Sequence, residues 1–223
     1  MRCSSPPERR PIPVLLVALL VLLVGAVGAC SQAQATGPAS TESTTTLPPT
    51  TTIPAVDRPL PPGANTVYIL GDSVILGTQY VIDATLAGWK VTLDAKVSRR
   101  MDQGIDLVRS RGGALGRVVV VHLCTNWFGT DYGAAADELI ALLRDVDRIV
   151  WATCVPWVGE IDEANAAIRA LPSRHPNLKV IDWAAVAGTP GYTGGDGLHL
   201  QGPGQQALAG LVAAAIGPAP PPA

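Results

Sequence analysis

The stretch RVVVVHL, residues 117–123, constrains the fold of this chain more than any other. Four consecutive valines favour an extended backbone, because their branched side chains pack well on a pleated surface. A run with no polar face belongs to a strand buried on both sides, so layers must cover both faces of its sheet. From Thr66 onward, similar short runs alternate with longer segments of helical spacing, the pattern of a parallel sheet flanked by helices. The pattern predicts strands at 66–70, 90–95, 117–123, 148–154 and 178–182. It predicts helices at about 74–87, 99–112, 132–145, 160–171 and 202–216. The expected fold class is α/β, a three-layer α/β/α sandwich on a five-stranded parallel sheet, over residues 66–218 with a disordered tail at 219–223.

The 65 residues before the first strand have a different character. Arg2, Arg9 and Arg10 precede an uncharged apolar run from Val14 to Ala29, the order of an export signal. The run ends at VGAC, and small residues followed by Cys30 resemble a bacterial lipoprotein box in which the cysteine is lipidated. The alternative is an uncleaved membrane anchor, although the run falls short of the roughly 20 residues a spanning helix needs. Either reading places the remainder outside the cytoplasm, with residues 1–29 as signal peptide. Residues 30–65, rich in Ser, Thr and Pro, cannot bury enough apolar surface to offset chain entropy and read as a disordered tether.

Charge narrows the partners. The whole chain carries a formal charge of -2, and loss of residues 1–29 removes three arginines and one glutamate, leaving about -4. No basic stripe interleaved with aromatics is present, so nucleic acid is not an expected partner. The cysteines and histidines lack zinc-site spacing, and no metal is expected.

In an open parallel sheet, ligands sit beyond the carboxyl ends of the strands. There the sequence places Gly71-Asp72-Ser73, then Ser98 to Arg100, then Thr125-Asn126, then Pro156-Trp157, with GGDGLHL at 194–200 before the last helix. A serine hydroxyl needs a neighbouring base to become a good nucleophile, and the base needs a group that orients it. Of the three histidines, His122 lies within a predicted buried strand and His175 within a polar loop. His199 remains, with Asp196 three residues before it, a spacing that lets one turn bring carboxylate to imidazole. Asp72 is expected to be structural, bonding nearby backbone amides.

GDSV (71–74), CTN (124–126) and DGLH (196–199), in that order, resemble the SGNH hydrolases, also called the GDSL esterase and acyltransferase superfamily. LDAKVSRR (93–100), VPW (155–157) with Asn165 downstream, IDW (181–183) and DGLHL (196–200) are similar to the SGNH domains of peptidoglycan and polysaccharide O-acetyltransferases. The resemblance implies a flavodoxin-like SGNH fold, Ser73 as nucleophile, His199 as base and then acid, and Asp196 as its orienting partner. It also implies an oxyanion hole from the Ser73 backbone N–H, the Asn126 side-chain amide and a third donor from the second-strand loop near Ser98. The helix after Ser73 is expected to add its N-terminal field. No cofactor is implied.

Two departures stand out. The glycine usual at the start of the third block is Cys124, and the second-block glycine is replaced near Ser98. If strands three and four are neighbours, Cys124 and Cys154 end them about 4.8 Å apart, within the range bridged cysteines span. A Cys124–Cys154 disulfide is therefore expected, as suits an exported domain. Arg99 and Arg100 either face an acidic acceptor or form a solvated helix start. Trp157 either floors a sugar site or packs at the rim.

The function expected is an exported serine esterase or O-acyltransferase handling short acyl groups, acetyl above all, on cell-envelope carbohydrate, with a separate membrane acyltransferase as a speculative partner. The alternative is a non-catalytic wall-binding lipoprotein on the same fold.

Overall fold

The computed structural model describes residues 57–112 and 115–221. The expected signal, Cys30 and most of the expected tether lie outside the described residues. Five strands form one wholly parallel sheet: β1 (Thr66–Gly71), β2 (Lys90–Ala95), β3 (Val118–His122), β4 (Arg148–Ala152) and β5 (Leu178–Ile181). Their order is β2-β1-β3-β4-β5. Each strand falls within or one residue beyond its predicted range.

The chain winds outward from β1 to β2, then returns past β1 to run β3, β4 and β5 in the other direction. The reversal lies between β1 and β3, which are in register from Val67↔Val118 to Gly71↔His122. Such a switch point opens a crevice at the carboxyl ends of the two strands. Burial agrees with this order, since β3 and β4 are buried throughout and lie inside the sheet, with β2 and β5 at its edges.

Two apolar layers sandwich the sheet. Tyr68, Leu70, Val119, Val121, Ile149 and Trp151 meet α3 (Met101–Ser110), α4 (Tyr132–Leu142) and α5 (Gly159–Ala170). Val67, Ile69, Val118, Val120, Val150 and Ala152 meet α1 (Ser73–Leu76), α2 (Ile82–Thr85), α6 (Trp183–Val186) and α7 (Gly202–Ile216). Alternate strand residues thus serve opposite layers. The helices answer with apolar stripes at three- and four-residue spacing, such as Met101, Ile105 and Val108 on α3.

The single helix expected over 74–87 is two short ones. After Leu76 the backbone tightens into three-residue turns, with Gly77, Thr78 and Gln79 N–H groups donating to Val74, Ile75 and Leu76. The Thr78 hydroxyl also donates to the Ile75 carbonyl at 2.7 Å, a local bond that competes with helical continuation. Helix α6 was not expected. It starts where Thr153, at the end of β4, accepts the Ala184 N–H at 3.0 Å, a partner invisible in the local sequence.

Residues 57–65 overlap the expected tether and are held to the domain. Arg117 donates to the Pro61 carbonyl at 2.8 Å, Lys179 pairs with Asp57 at 3.1 Å, and Asn65 donates to the Pro220 carbonyl at 2.9 Å. Ala219, in the expected tail, packs against the second apolar layer. Among the described residues no helix is long and apolar enough to cross a membrane.

Candidate active site

Ser73 is delivered by a sharp strand-to-helix corner. The Asp72 N–H extends the β1–β3 ladder by donating to the His122 carbonyl at 3.0 Å. Gly71 must be glycine, because a Cβ there would lie 2.0 Å from the Ile75 side chain folding back over it. Asp72 then caps the turn, its Oδ1 accepting from the Val74 N–H at 3.0 Å. Ser73 becomes the first residue of α1. That helix is only four residues long, so the helix field expected from a 14-residue segment shrinks to that of one turn.

Asp196 and His199 arrive on the loop before α7. Asp196 Oδ1 accepts the Leu198 and His199 N–H groups at 2.9 and 3.0 Å, while its Oδ2 lies 2.7 Å from His199 Nδ1. Gly197 supplies the left-handed residue this turn needs, at φ +67°. The bonds from His199 and from the two backbone amides hold the Asp196 carboxyl down to about 2. His199 Nε2 points away from Asp196 and lies 3.0 Å from Ser73 Oγ. Three side chains separated by up to 126 residues thus form one Ser-His-Asp line.

The loop is positioned by α7. Thr193 and Leu200 form an isolated antiparallel bridge, and Gly194 donates to the His199 carbonyl at 2.8 Å. Gly204 lies against the Tyr192 backbone so closely that a Cβ would sit 1.9 Å from the Tyr192 carbonyl oxygen.

Asn126 sits in a turn from Cys124 to Trp127, closed by a 3.1 Å bond between their backbones. The turn is braced from the β4 side. Cys124 and Cys154 are disulfide-bonded, with Cα atoms 5.7 Å apart, as the strand ends required. Trp157 donates its indole N–H to the Thr125 carbonyl at 2.9 Å. Asn165, buried on α5, clamps the backbone of Cys154 with two bonds, accepting its N–H at 2.8 Å and donating to its carbonyl at 2.7 Å.

The second-strand loop turns back at Lys96–Arg99, where the Arg99 N–H donates to the Lys96 carbonyl at 3.2 Å. Ser98 is the one non-glycine described residue in the left-handed region, at φ +58°. The backbone shape a glycine would supply is therefore kept with a serine in place. Asn126 Nδ2 donates to the Arg99 carbonyl at 3.3 Å, which joins the two loops.

Arg99 matches neither sequence expectation. Its guanidinium turns inward, pairing with Asp94 at 2.7 Å and donating to the Gly71 carbonyl at 3.3 Å and to the Asp94 carbonyl. Those bonds hold the loop against β1. Arg100 is exposed and forms a fork on Asp102 at 2.7 and 3.1 Å. Trp157 lies at the rim, half exposed, edge-on to Phe128 with ring centres 6.2 Å apart.

Sequence reasoning missed one buried constellation. His122 is buried in β3 as expected, and its Nδ1 lies 3.0 Å from Asp72 Oδ1, directly behind the Ser73 corner. His175, expected in solvent, pairs with Asp137 on α4 at 2.7 Å. Asp72, His122 and Cys154 bring one potential metal-ligand atom each within 4.8 Å, but the Cys154 sulfur is committed to the disulfide and offers no thiolate.

Known proteins share this architecture. No protein-family model matches the chain. A putative peptidoglycan O-acetyltransferase, YrhL of Bacillus subtilis, is 27% identical over 158 residues, 69% of this chain and 24% of its own length. The O-acetyltransferase OatA of Staphylococcus aureus is 29% identical over 150 residues, 65% of this chain and 24% of its own length. The chain therefore spans about a quarter of the length of these curated relatives. Among solved structures, the C-terminal catalytic domain of Streptococcus pneumoniae OatA, carrying a methylsulfonyl adduct, superposes with a TM-score of 0.57 at 22% identity. The match covers 69% of this chain and 90% of that domain. A lipase/acylhydrolase from Enterococcus faecalis gives 0.55 at 17% identity, covering 68% and 95%. By these comparisons the chain shares the fold of the solved OatA catalytic domain and of the lipase/acylhydrolase, and its sequence is similar to about a quarter of each of the two O-acetyltransferases.

Proposed function

We propose that the protein is an exported serine esterase or O-acyltransferase that removes or transfers short acyl groups, acetyl above all, on cell-envelope carbohydrate. The observation that carries the reading is the 3.0 Å approach of His199 Nε2 to Ser73 Oγ, with Asp196 2.7 Å behind the imidazole. Ser73 Oγ attacks the ester carbonyl while His199 Nε2 takes its proton, and Asp196 holds the ring in the tautomer that leaves Nε2 free to accept. The developing oxyanion is met by the Ser73 backbone N–H and the Asn126 amide, with the Ser98 turn as the third side. Each such donor is worth about 10² to 10³ in turnover.

Collapse of the tetrahedral intermediate breaks the ester C–O bond. The departing alkoxide takes the proton from His199 and leaves acyl-Ser73. In the second half-reaction His199 deprotonates water or a sugar hydroxyl, which attacks the acyl carbon and restores Ser73. Water makes the protein an esterase, and a sugar hydroxyl makes it a transferase.

The carbohydrate class rests on the relatives' names, and the disulfide and the fold suit a domain working outside the cytoplasm. Attachment through lipidated Cys30, and supply of acyl groups by a separate membrane acyltransferase, extend the same reading from the sequence.

The test is intact mass and product release after mixing the full chain with p-nitrophenyl acetate, beside Ser73→Ala. A 42 Da adduct or turnover that the variant loses is expected, 42 Da being about the mass of one acetyl group replacing a hydrogen in the acyl-enzyme. Identical behaviour of the two proteins refutes the esterase reading and favours the wall-binding alternative.

A further inference from the structure

Position 122 carries a polar side chain where the sheet would be served by an apolar one. Val118–Val121 and Leu123 are fully buried around it, and His122 is as buried as they are. A fifth valine would continue β3 with no polar group to satisfy, whereas a histidine brings two ring nitrogens into the core.

The two nitrogens are served unequally. Nδ1 lies 3.0 Å from Asp72 Oδ1, and the main chains of the same two residues are joined by the Asp72 N–H donating to the His122 carbonyl at 3.0 Å. Nε2 has Cys154 Sγ beside it at 3.7 Å, and a disulfide sulfur has no proton to give and accepts only weakly. The ring proton therefore sits on Nδ1 and is donated to Asp72. Cys154 Sγ, within 3.8 Å of both nitrogens, confines the ring in that orientation.

Asp72 needs this donor. Its carboxylate is fully buried and takes both of its bonds on Oδ1, from His122 and from the Val74 N–H at 3.0 Å, while Oδ2 has no partner among the described residues. Ser73 stands between the two residues so bonded. As the first residue of α1 it has an N–H without an intrahelical acceptor, and that N–H is the main-chain donor proposed for the oxyanion. A carboxylate tied to Val74 alone is free to turn and take the Ser73 N–H for itself. It would then set one negative charge against the one the ester oxygen must develop.

We infer that His122 is a positioning residue for acyl transfer: through Nδ1 it holds the Asp72 carboxylate on Val74 and off the Ser73 N–H, which stays available to the oxyanion. The imidazole acts through Asp72 and needs no contact with substrate. The kinetic consequence rests on the esterase or transferase reading, whereas the hold on the Val74 amide does not.

The test compares the full wild-type chain with His122→Leu, with His122→Asn, and with a double variant joining His122→Leu to Asp72→Asn. Asparagine returns an amide donor near the place of Nδ1, and the double variant removes the donor together with the charge it restrains, leaving no buried carboxylate unpaired. On p-nitrophenyl acetate His122→Leu should lower kcat by about 10- to 100-fold with KM within about twofold, the scale of a small displacement in a reacting constellation. His122→Asn and the double variant should each return kcat to within about fivefold of wild type, a non-additivity that marks the two side chains as one unit. If His122→Leu does not fold, His122→Gln takes its place, because its amide reaches past Nδ1 and should show the same loss.

A residue that only stabilises the fold leaves kcat unchanged where every variant is folded, so an unchanged kcat in His122→Leu overturns the inference. Asn and double variants no faster than His122→Leu overturn it as well. The second measurement is hydrogen exchange of the Val74 amide by NMR. His122→Leu should speed it about tenfold or more beyond any rise at Val119–Val121, and a rise shared equally by the strand overturns the inference in favour of general stabilisation. If the wild type turns over no ester while Val74 alone loses protection, the esterase reading fails and the positioning of the Ser73 corner by His122 stands.

Discussion

Gly204→Ala tests how His199 is held beside Ser73. A Cβ at this position would lie 1.9 Å from the Tyr192 carbonyl oxygen and 2.7 Å from its carbonyl carbon, both main-chain atoms that no rotamer change can move. Ordinary contact begins near 3.4 Å, so helix and loop must separate by about 1.5 Å. Two movements can supply that separation. If the 192–200 loop yields, the Gln201-to-Tyr192 bond breaks and Asp196 and His199 move relative to Ser73. A misplacement of about 1 Å in a reacting constellation costs roughly 10²-fold in rate. If α7 yields instead, Leu208, Ala209 and Val212 are drawn from the core they fill, at roughly 1–3 kcal/mol and about 2–12 °C in Tm. Gly210→Ala, with open space around its position in the same helix, is the matched control and should gain about 0.5–1 kcal/mol. The assay is kcat/KM on p-nitrophenyl acetate together with calorimetric Tm. A Gly204→Ala protein within about twofold of wild-type kcat/KM and about 1 °C of its Tm would refute the account, because neither partner would then have moved.

Asp196→Asn removes the charge that fixes the His199 tautomer and should lower kcat/KM by about 10² to 10⁴ with the fold intact; a loss below about tenfold argues for an exposed turn aspartate. The Asp196 carboxyl is depressed to about 2 by its bonds to His199 and to two amides, so the stabilisation these bonds give is fully present above the ordinary carboxylate value and is lost as pH falls through about 2. A carbon NMR titration should find its midpoint near 2, and a midpoint at the ordinary carboxylate value would contradict the geometry. The Cys124→Ser, Cys154→Ser double variant opens a link between residues 30 apart and should lose about 3.5–4 kcal/mol, or about 7–15 °C in Tm, by calorimetry; a fall of less than about 2 °C would show that the bridge constrains little. Ser98→Gly relieves a left-handed residue at φ +58°, worth about 1–2 kcal/mol, and adds about 0.5–1 kcal/mol of chain entropy, so urea unfolding should show a small net gain. Destabilisation instead would mean that the serine side chain holds the turn.

The strands and the order of Ser73, Asn126, Asp196 and His199 along the chain were legible in the sequence because both are local or ordinal. Val118–Val121 declares its own burial, and Asp196 and His199 are brought together by a turn that needs only Gly197 and two of its own amides. The disulfide was legible conditionally, since it required β3 and β4 to be neighbours. The break at Gly77 was missed because helix spacing persists through residues 74–87 while the turn is closed by backbone bonds that spacing does not record.

What the sequence by itself determined is the α/β class, the strand positions and the candidates Ser73, Asp196 and His199 for acyl chemistry. Only the tertiary structure decided which of them meet, because contacts between strand ends depend on the order β2-β1-β3-β4-β5 and on register, which no local pattern encodes. Gly71↔His122 register puts His122 behind Asp72, a pairing across 50 residues with no sequence signature. Arg99 and Arg100 are adjacent and chemically alike, yet one turns inward to Asp94 and Gly71 and the other outward to Asp102. The division follows from what each position adjoins, Arg99 lying against the end of β1 and Arg100 standing at the N-cap of α3.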